Sequence, residues 1–405
     1  MQKYKLQNIM NGGRIDEIKA DNVKCSKFPD LPSIVTSDRS KIDRIIAIGD
    51  IHGDLDLGIN CLLVADLIER VYEDDEKGLT VNLWYKDEKV KRMYKWIGEK
   101  TIVVQVGDQV DRCRPLNHEC HVPVATFNDE SSDVTIMFFY HDLHIVALKV
   151  DCALYSLLGN HELLNVLGNM KYVSYKGLME FPSKSTDITQ GRAEAFALDS
   201  KQKTFRDKAS LSEFLACTRL SSMIIDKYLF VHAGLMEKLI QHTQKLDGDN
   251  VVLTINNIIR GWLLDNNTEK DKVFIMKLLA GKSLSPFWPR VFGNIKRNVD
   301  MENSECQKHV KPVLDLLNLE GIVVGHTPQI KHNITSACSS KVWRVDIAGS
   351  QAFDEVLFED VKTDKEKQAI QKGRVPQVLE IILGKEGEKD SFNLLPKELN
   401  YTLNK

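Results

Sequence analysis

Five places in the chain set chemistry-bearing side chains directly behind a short β-rich run. Asp50 and His52 follow Ile45-Ile46-Ala47-Ile48-Gly49; Asp108, Asp111 and Arg112 follow Thr101 through Gly107; Asn160, His161 and Glu162 follow Ala153 through Gly159. His232 ends Tyr228-Leu229-Phe230-Val231, and His326 follows Gly321-Ile322-Val323-Val324-Gly325. Asp50, His52, Asp108, Asn160, His232 and His326 offer carboxylate, imidazole and amide donors but no thiolate, a set that favours manganese, iron or zinc over a structural zinc knot. So many donors exceed the needs of one tetrahedral ion. They suit two ions roughly 3.5–4 Å apart that share a bridging carboxylate and clamp both oxygens of a phosphoryl transfer. Ions so placed bring the pKa of a shared water toward ~7. Arg112 offers a planar fork for phosphate oxygens. His161 is free to protonate a leaving group, with Asp111 to orient it.

These side chains need scaffolding that delivers them to one edge. Each run is too short for a helix, is rich in β-branched and apolar residues, and stops at or near a glycine, which marks a buried strand. Alternate residues of an extended segment point the same way, so Asp50 and His52 can reach one ion. Helical spacing recurs over Asn60 to Arg70 and over Asp133 to Lys149, and Leu79 to Trp84 reads as a short hairpin segment. Strand, loop and helix in alternation predict an α/β fold, with ligands bound at the carboxyl edge of the sheet. Two charged helical spans, about 163–218 and 248–282, are expected to cap that edge. The organisation predicted is an irregular lead-in over 1–40, a catalytic domain over 41–385 and a tail over 386–405. Within the domain, Gln377 to Leu383 reads as a late strand entered through Pro376, and Lys362 to Lys372 as a solvated helix face.

Composition narrows the field. Hydrophobic residues make up 43% and charged residues 27% of 405 residues, and the net charge of −3 provides no basic surface for nucleic acid. The polar amino terminus carries no signal-peptide core and no run is long enough to span a bilayer, so no membrane partner and a cytoplasmic location are expected. Eight cysteines without a C-x-x-C pair are expected to be reduced thiols. Cys113, His118, Cys120 and His121 are zinc-type residues, but their spacing fits no standard knuckle, and a surface loop with a redox-sensitive thiol is the expected reading.

The ordered series Gly49-Asp50-Ile51-His52-Gly53, Gly107-Asp108-Gln109-Val110-Asp111-Arg112, Gly159-Asn160-His161-Glu162, Val231-His232-Ala233-Gly234 and Gly325-His326-Thr327 resembles the motif set of the calcineurin-like metallophosphoesterases, in their phosphoprotein phosphatase branch. Gly159 through Gly168 is most similar to the wording of the Shewanella-like phosphatases. The resemblance implies a four-layer α/β sandwich of two mixed sheets flanked by helices. It implies Asp50, His52 and a bridging Asp108 on one metal, and Asp108, Asn160, His232 and His326 on the other. It also implies His161 as general acid with Asp111, and Arg112 and Asn160 at the phosphate. Phe287-Trp288-Pro289-Arg290 resembles the element carrying a second phosphate-binding arginine, which nominates Arg290 ahead of Arg260 and Arg297.

The activity implied is hydrolysis of phosphomonoesters on a phosphorylated protein or peptide, at Ser/Thr or Tyr, by a metal-bridging hydroxide. The two divalent ions are expected to be manganese, with iron or zinc as alternatives. Dinucleoside polyphosphate or phosphodiester hydrolysis is the enzymatic alternative, and an inactive metal-binding scaffold the other. Three features depart from the family pattern: Cys113 stands where glycine is usual, His232 is followed by Ala233, and the span from Arg112 to Asn160 is long.

Overall fold

The computed structural model describes residues 25–397 apart from 84–91, 116–118, 199, 201–208, 282, 330–332, 355–362, 364, 366, 368–373 and 386. One sheet is ordered Ser391–Leu395, Val378–Ile382, Arg44–Ile48, Thr101–Gln105, Ala153–Leu157, Arg219–Leu220. Its last four strands run parallel, while Val378–Ile382 lies antiparallel to Arg44–Ile48, so the sheet is mixed. The second sheet is ordered Ile34–Val35, Ser222–Ile225, Tyr228–Val231, Gly321–Val324, Val342–Arg344, Thr335–Ala337 and is also mixed. A small antiparallel sheet of Ile68–Val71, Arg92–Trp96 and Thr80–Leu83 sits beside the first.

The period-two alternation of the strands builds the layers. Ile45, Ala47, Ile102, Val104 and Tyr155 from the first sheet share one core with Met223, Tyr228, Phe230 and Val323 from the second, so the two sheets pack face to face. The alternate residues Ile46, Ile48, Val103 and Leu154 pack outward on Leu62, Phe139 and Leu143. On the far side Leu229, Val231, Ile322 and Val324 pack on Leu239, Val252, Ile255 and Val313. The result is helix, sheet, sheet, helix, the sandwich expected. Each fully buried Ile, Leu or Val adds roughly 1.5–3 kcal/mol relative to exposure, so a one-residue register slip in a central strand would forfeit many such terms.

Local expectations held unevenly. Helix Asp133–Ala147 matches its periodicity. The helix read over Asn60 to Arg70 instead spans Leu55–Val64, because Asp54 caps it by accepting the Leu57 N–H at 3.0 Å and Ile68–Val71 leaves as a strand. Within the lead-in, Ile34–Val35 pairs with the second sheet, and within the tail, Ser391–Leu395 pairs with Val378–Ile382. Residues 362–372 lie mostly outside those described. Among the described residues, no helix is long and apolar enough to cross a membrane.

The cysteine expectation needs correcting. Cys25–Cys217, Cys113–Cys120 and Cys306–Cys338 form disulfides with Cα separations of 5.2, 5.8 and 5.6 Å, leaving Cys61 and Cys152 free and buried. Linear spacing hid two of them, since partners 192 and 32 residues apart meet only through the fold. Paired cysteines belong to oxidising compartments, which runs against the cytoplasmic expectation. The pairing of Cys113 with Cys120 also removes both thiolates from any zinc site with His118, which lies outside the described residues, or His121, whose Nε2 meets the Met170 carbonyl at 2.9 Å. Alkylation of denatured, unreduced protein is expected to add two labels by mass spectrometry and eight after reduction. Eight labels without reductant would contradict the pairing.

Candidate active site

The five strand ends converge because glycines let their loops touch. Gly107 sits at φ +102°, in the left-handed region, and a Cβ there would come within 2.6 Å of the Gly159 nitrogen. The N–H groups of Ile51 and His52 donate to the Asp108 carbonyl at 3.0 and 2.9 Å, tying the first loop to the second. The third loop is tied in by Glu162, whose carboxylate accepts from the backbone N–H of Asp108 (3.0 Å), Gln109 (2.7 Å) and Gly159 (2.7 Å). His52, Asp108, Asp111 and His326 all hold positive φ, at 46°, 54°, 72° and 65°. Non-glycine residues take this conformation at a cost, and its concentration here marks a place where position outweighs backbone comfort.

Two sets of ligand-type atoms result: His52, Asp108 and His161, and Asp108, His232 and His326. Asp108 belongs to both, as a bridging carboxylate must. Asp50 is adjacent, its Oδ2 3.8 Å from His52 Nε2, and Asn160 Oδ1 lies 2.9 Å from His232 Nε2. His52 Nδ1 and His232 Nδ1 face the carbonyls of Val110 (3.2 Å) and Val106 (3.0 Å), which turns each Nε2 toward the centre. His326 is reversed: its Nε2 faces the Trp288 carbonyl at 2.9 Å. The donor set fits two divalent ions. Asp50 Oδ1 and Asp346 Oδ2 are buried without a hydrogen-bond partner, a costly condition that a bound cation relieves.

Charge explains the electrostatics. Burial, with Asp346 and Asp108 as neighbours, pushes the Asp50 carboxyl well above its usual range, and burial lifts Asp346 to about 6. Burial also opposes ionisation of Asp108, but the charges of His232 and His161 outweigh it and hold this carboxyl well below its usual range. Burial and the charge of Arg114 keep His52 well below the ordinary imidazole value, and burial with His232 brings His326 to about 3. Both imidazoles are therefore neutral, the ligand form.

His161 Nδ1 donates to Asp111 Oδ2 at 2.7 Å, and its Nε2 looks toward Asp108 at 3.9 Å. Asp111 is held in turn. Its Oδ1 accepts from Asn165 Nδ2 at 2.8 Å, and Asn165 accepts from Arg192 at 2.7 Å. Arg192, on helix Gln190–Phe196 of the span expected to cap the edge, also donates to Asp133 at 2.6 Å. Arg112, expected at the phosphate, is buried with its Nη1 on the Gly53 carbonyl (2.8 Å) and 3.3 Å from Glu130. Arg290 is exposed on the rim, close enough to His326 to depress its proton affinity. Arg260 instead donates to the Ala216 carbonyl at 3.1 Å.

Sequence reasoning missed four contributors: Glu162 as a clamp, Asp346, Arg192 and Arg114. Asp346 follows strand Val342–Arg344 as Asp50 follows its own strand, so the same strand-then-acid signal was present. Arg192 and Arg114 carry no spacing signal.

A family model for calcineurin-like phosphoesterases matches residues 43–329. An uncharacterized protein of Acanthamoeba polyphaga mimivirus is 34% identical over 256 residues, 60% of this chain and 94% of that one. Shewanella-like protein phosphatase 2 of Arabidopsis thaliana is 23% identical over 347 residues, 79% of this chain and 74% of that one. Among solved structures, the cold-active protein-tyrosine phosphatase of a psychrophilic Shewanella superposes with a TM-score of 0.52 at 16% identity, covering 89% of this chain and 82% of the other.

Two outcomes follow from the clamp and the buried acids. Glu162→Ala strands three buried N–H groups and is expected to cost at least about 3 kcal/mol in urea unfolding of metal-stripped protein; a loss under about 1 kcal/mol would show the loops are held otherwise. With Asp346 lifted to about 6 and Asp50 also raised, the stripped centre takes up protons as pH falls. Metal affinity is therefore expected to drop as pH is lowered through about 6, by up to ~10-fold per unit for each proton displaced, whereas calorimetry giving one affinity from pH 5 to 8 would contradict the linkage.

Proposed function

The chain belongs to the calcineurin-like phosphoesterase family, and on that footing we propose that it removes phosphate from phosphorylated proteins or peptides, using the centre built around Asp108. The observation that carries this reading is the His161–Asp111 pair at 2.7 Å, set beside two ligand groups that share one carboxylate. A scaffold that only stored metal has no use for an oriented proton donor. The relative named a protein phosphatase supports the choice of a phosphoprotein substrate.

Asp50, His52 and Asp108 would hold one ion, and Asp108, Asn160, His232 and His326 the other. Two divalent ions, manganese first, supply Lewis acidity that lowers the pKa of water and offsets the charge of the phosphate. The rest is done by the chain. His161 Nε2 faces the reaction space while Nδ1–H is fixed on Asp111, so the protonated ring presents its second N–H to the leaving oxygen and delivers the proton as the P–O bond breaks. Asp111 stabilises the charged ring and cannot swing away, because Asn165 and Arg192 pin its other oxygen. Arg290 at the rim beside His326 adds positive charge where a phosphate would enter, and the amide of Asn160 can reach the same oxygens.

Aryl phosphomonoester, diester, dinucleotide, phosphoserine and phosphotyrosine peptides compared with added Mn²⁺ test the substrate class; preference for diester or dinucleotide would sink the proposal. Asp108→Asn is expected to lose metal as well as rate. His161→Ala is expected to keep both metals and lose roughly 100- to 10,000-fold in kcat. Elemental analysis beside kinetics separates them, and equal metal loss in both would contradict the division of roles. A metal-loaded wild type no faster than His161→Ala on every ester would favour a scaffold.

A further inference from the structure

We propose that Arg192 is a positioning residue for the proton transfer, acting through the amide of Asn165 to hold Asp111 against His161; the assignment rests on the phosphoesterase reading of the Asp108 centre. Arg192 lies on helix Gln190–Phe196, outside every strand-end motif. A guanidinium only donates hydrogen bonds, whereas a side-chain amide accepts at one end and donates at the other. Arg192 Nε donates to Asn165 Oδ1 at 2.7 Å, so the oxygen end of that amide must face the arginine. The NH2 end is thereby turned to Asp111 Oδ1, at 2.8 Å, and to the His161 carbonyl, at 2.9 Å. Reversed, the same amide would set its oxygen against a carboxylate. Arg192 makes the working orientation the favourable one.

The bonds also close into a ring. Arg192 Nη2 donates to Asp133 Oδ2 at 2.6 Å, and that oxygen accepts the backbone N–H of Asp111 at 3.2 Å. Asp111 is therefore held at its carboxylate through Asn165 and at its backbone through Asp133, with one arginine common to both routes. The backbone hold matters because Asp111 sits at φ 72°, a left-handed conformation that a non-glycine residue takes at a cost. The guanidinium is itself fixed, with Nη1 on the Gly177 carbonyl at 3.1 Å and the ring centre of Phe196 at 5.1 Å. Asp111, Asp133, Asn165 and Arg192 are all buried, so bulk solvent does not replace a lost partner.

An arginine with a stabilising role alone would leave the chemistry untouched once the protein had folded. Here the far end of the relay is the imidazole whose Nδ1 donates to Asp111 Oδ2 at 2.7 Å. A slackened relay must therefore show in proton delivery. A delivered proton matters most when the departing oxygen is a poor leaving group, as in the alkyl ester of phosphoserine, and least for a nitrophenolate. Dependence on the leaving group is the signature of the relay.

The test compares manganese-loaded Arg192→Gln and Asn165→Ala with wild type, in kcat on nitrophenyl phosphate and on a phosphoserine peptide, with metal content and melting temperature alongside. Both variants are expected to lose on the order of 10- to 100-fold on the peptide and under about 3-fold on nitrophenyl phosphate, at unchanged metal content. Adding Arg192→Gln to His161→Ala is expected to cost no further rate, because both act through one group. Equal losses on the two esters, or a further loss in the His161→Ala background, would overturn the assignment and leave a stabilising role only. Asn165→Ala keeps Arg192 on Asp133, so it reports on the relay even where Arg192→Gln fails to fold. A readout independent of activity is the His161 Nδ1–H resonance of protein carrying isotope-labelled histidine, identified by its absence in His161→Ala. Its displacement in both variants is expected, and an unmoved signal would also overturn the assignment. If the signal moves while wild type cleaves no phosphomonoester, the positioning role stands and the hydrolase reading falls.

Discussion

Crowding carboxylates into one dry place is the constraint from which the rest of the architecture follows. Asp50, Asp108, Asp111, Glu162 and Asp346 are all buried where the loops of two sheets meet. An isolated charge there would lose far more hydration than its neighbours could return. Each acid has its own compensation. Glu162 takes three backbone N–H groups, Asp111 takes His161 and Asn165, and Asp108 takes two histidines. Asp50 and Asp346 are left with orphaned oxygens, and that deficit is the strongest structural argument for divalent ions.

Much of this was legible from residues alone because strand ends are short-range objects. A β-branched run, a glycine and an acid or histidine can be read in ten residues, and the sandwich converts that local pattern into proximity. Asp50, His52, Asp108, His161, His232 and His326 accordingly meet as the motif order suggested. What was not legible depends on which way a side chain turns after the motif ends. Arg112 and Arg114 are equally basic in sequence; only the fold sets Arg112 on the Gly53 carbonyl beside Glu130 and Arg114 against Phe353 and Tyr172. The pairs Cys25–Cys217 and Cys306–Cys338 were hidden for the same reason, since partners far apart in the chain announce themselves in no local window. The helix at Leu55–Val64 shows a milder failure, where apolar spacing ran past the true end because a β-strand began before the periodicity broke.

The helical span after the third motif does more than fill space. Through Arg192, it reaches under the His161–Asp111 dyad and ties Asp111 to Asp133, the first residue of helix Asp133–Ala147. The dyad is thus braced by an inserted helix and a scaffold helix at once. Such a chain of ionic hydrogen bonds holds only if every member is present, because removing one leaves buried charge behind.

The pairing of Ala47 with Leu379 bears on how the molecule is made. The strand that delivers Asp50 and His52 leaves the ribosome long before its antiparallel neighbour Val378–Ile382. Throughout synthesis of the intervening chain, one edge of that strand exposes a row of unsatisfied N–H and C=O groups on a run as apolar as Ile45-Ile46-Ala47-Ile48. Exposed strands of this kind pair with whatever edge is nearest. A nascent chain therefore carries this adhesive strand well before the strand that shields it, and a chain cut before Val378 leaves that edge unpaired.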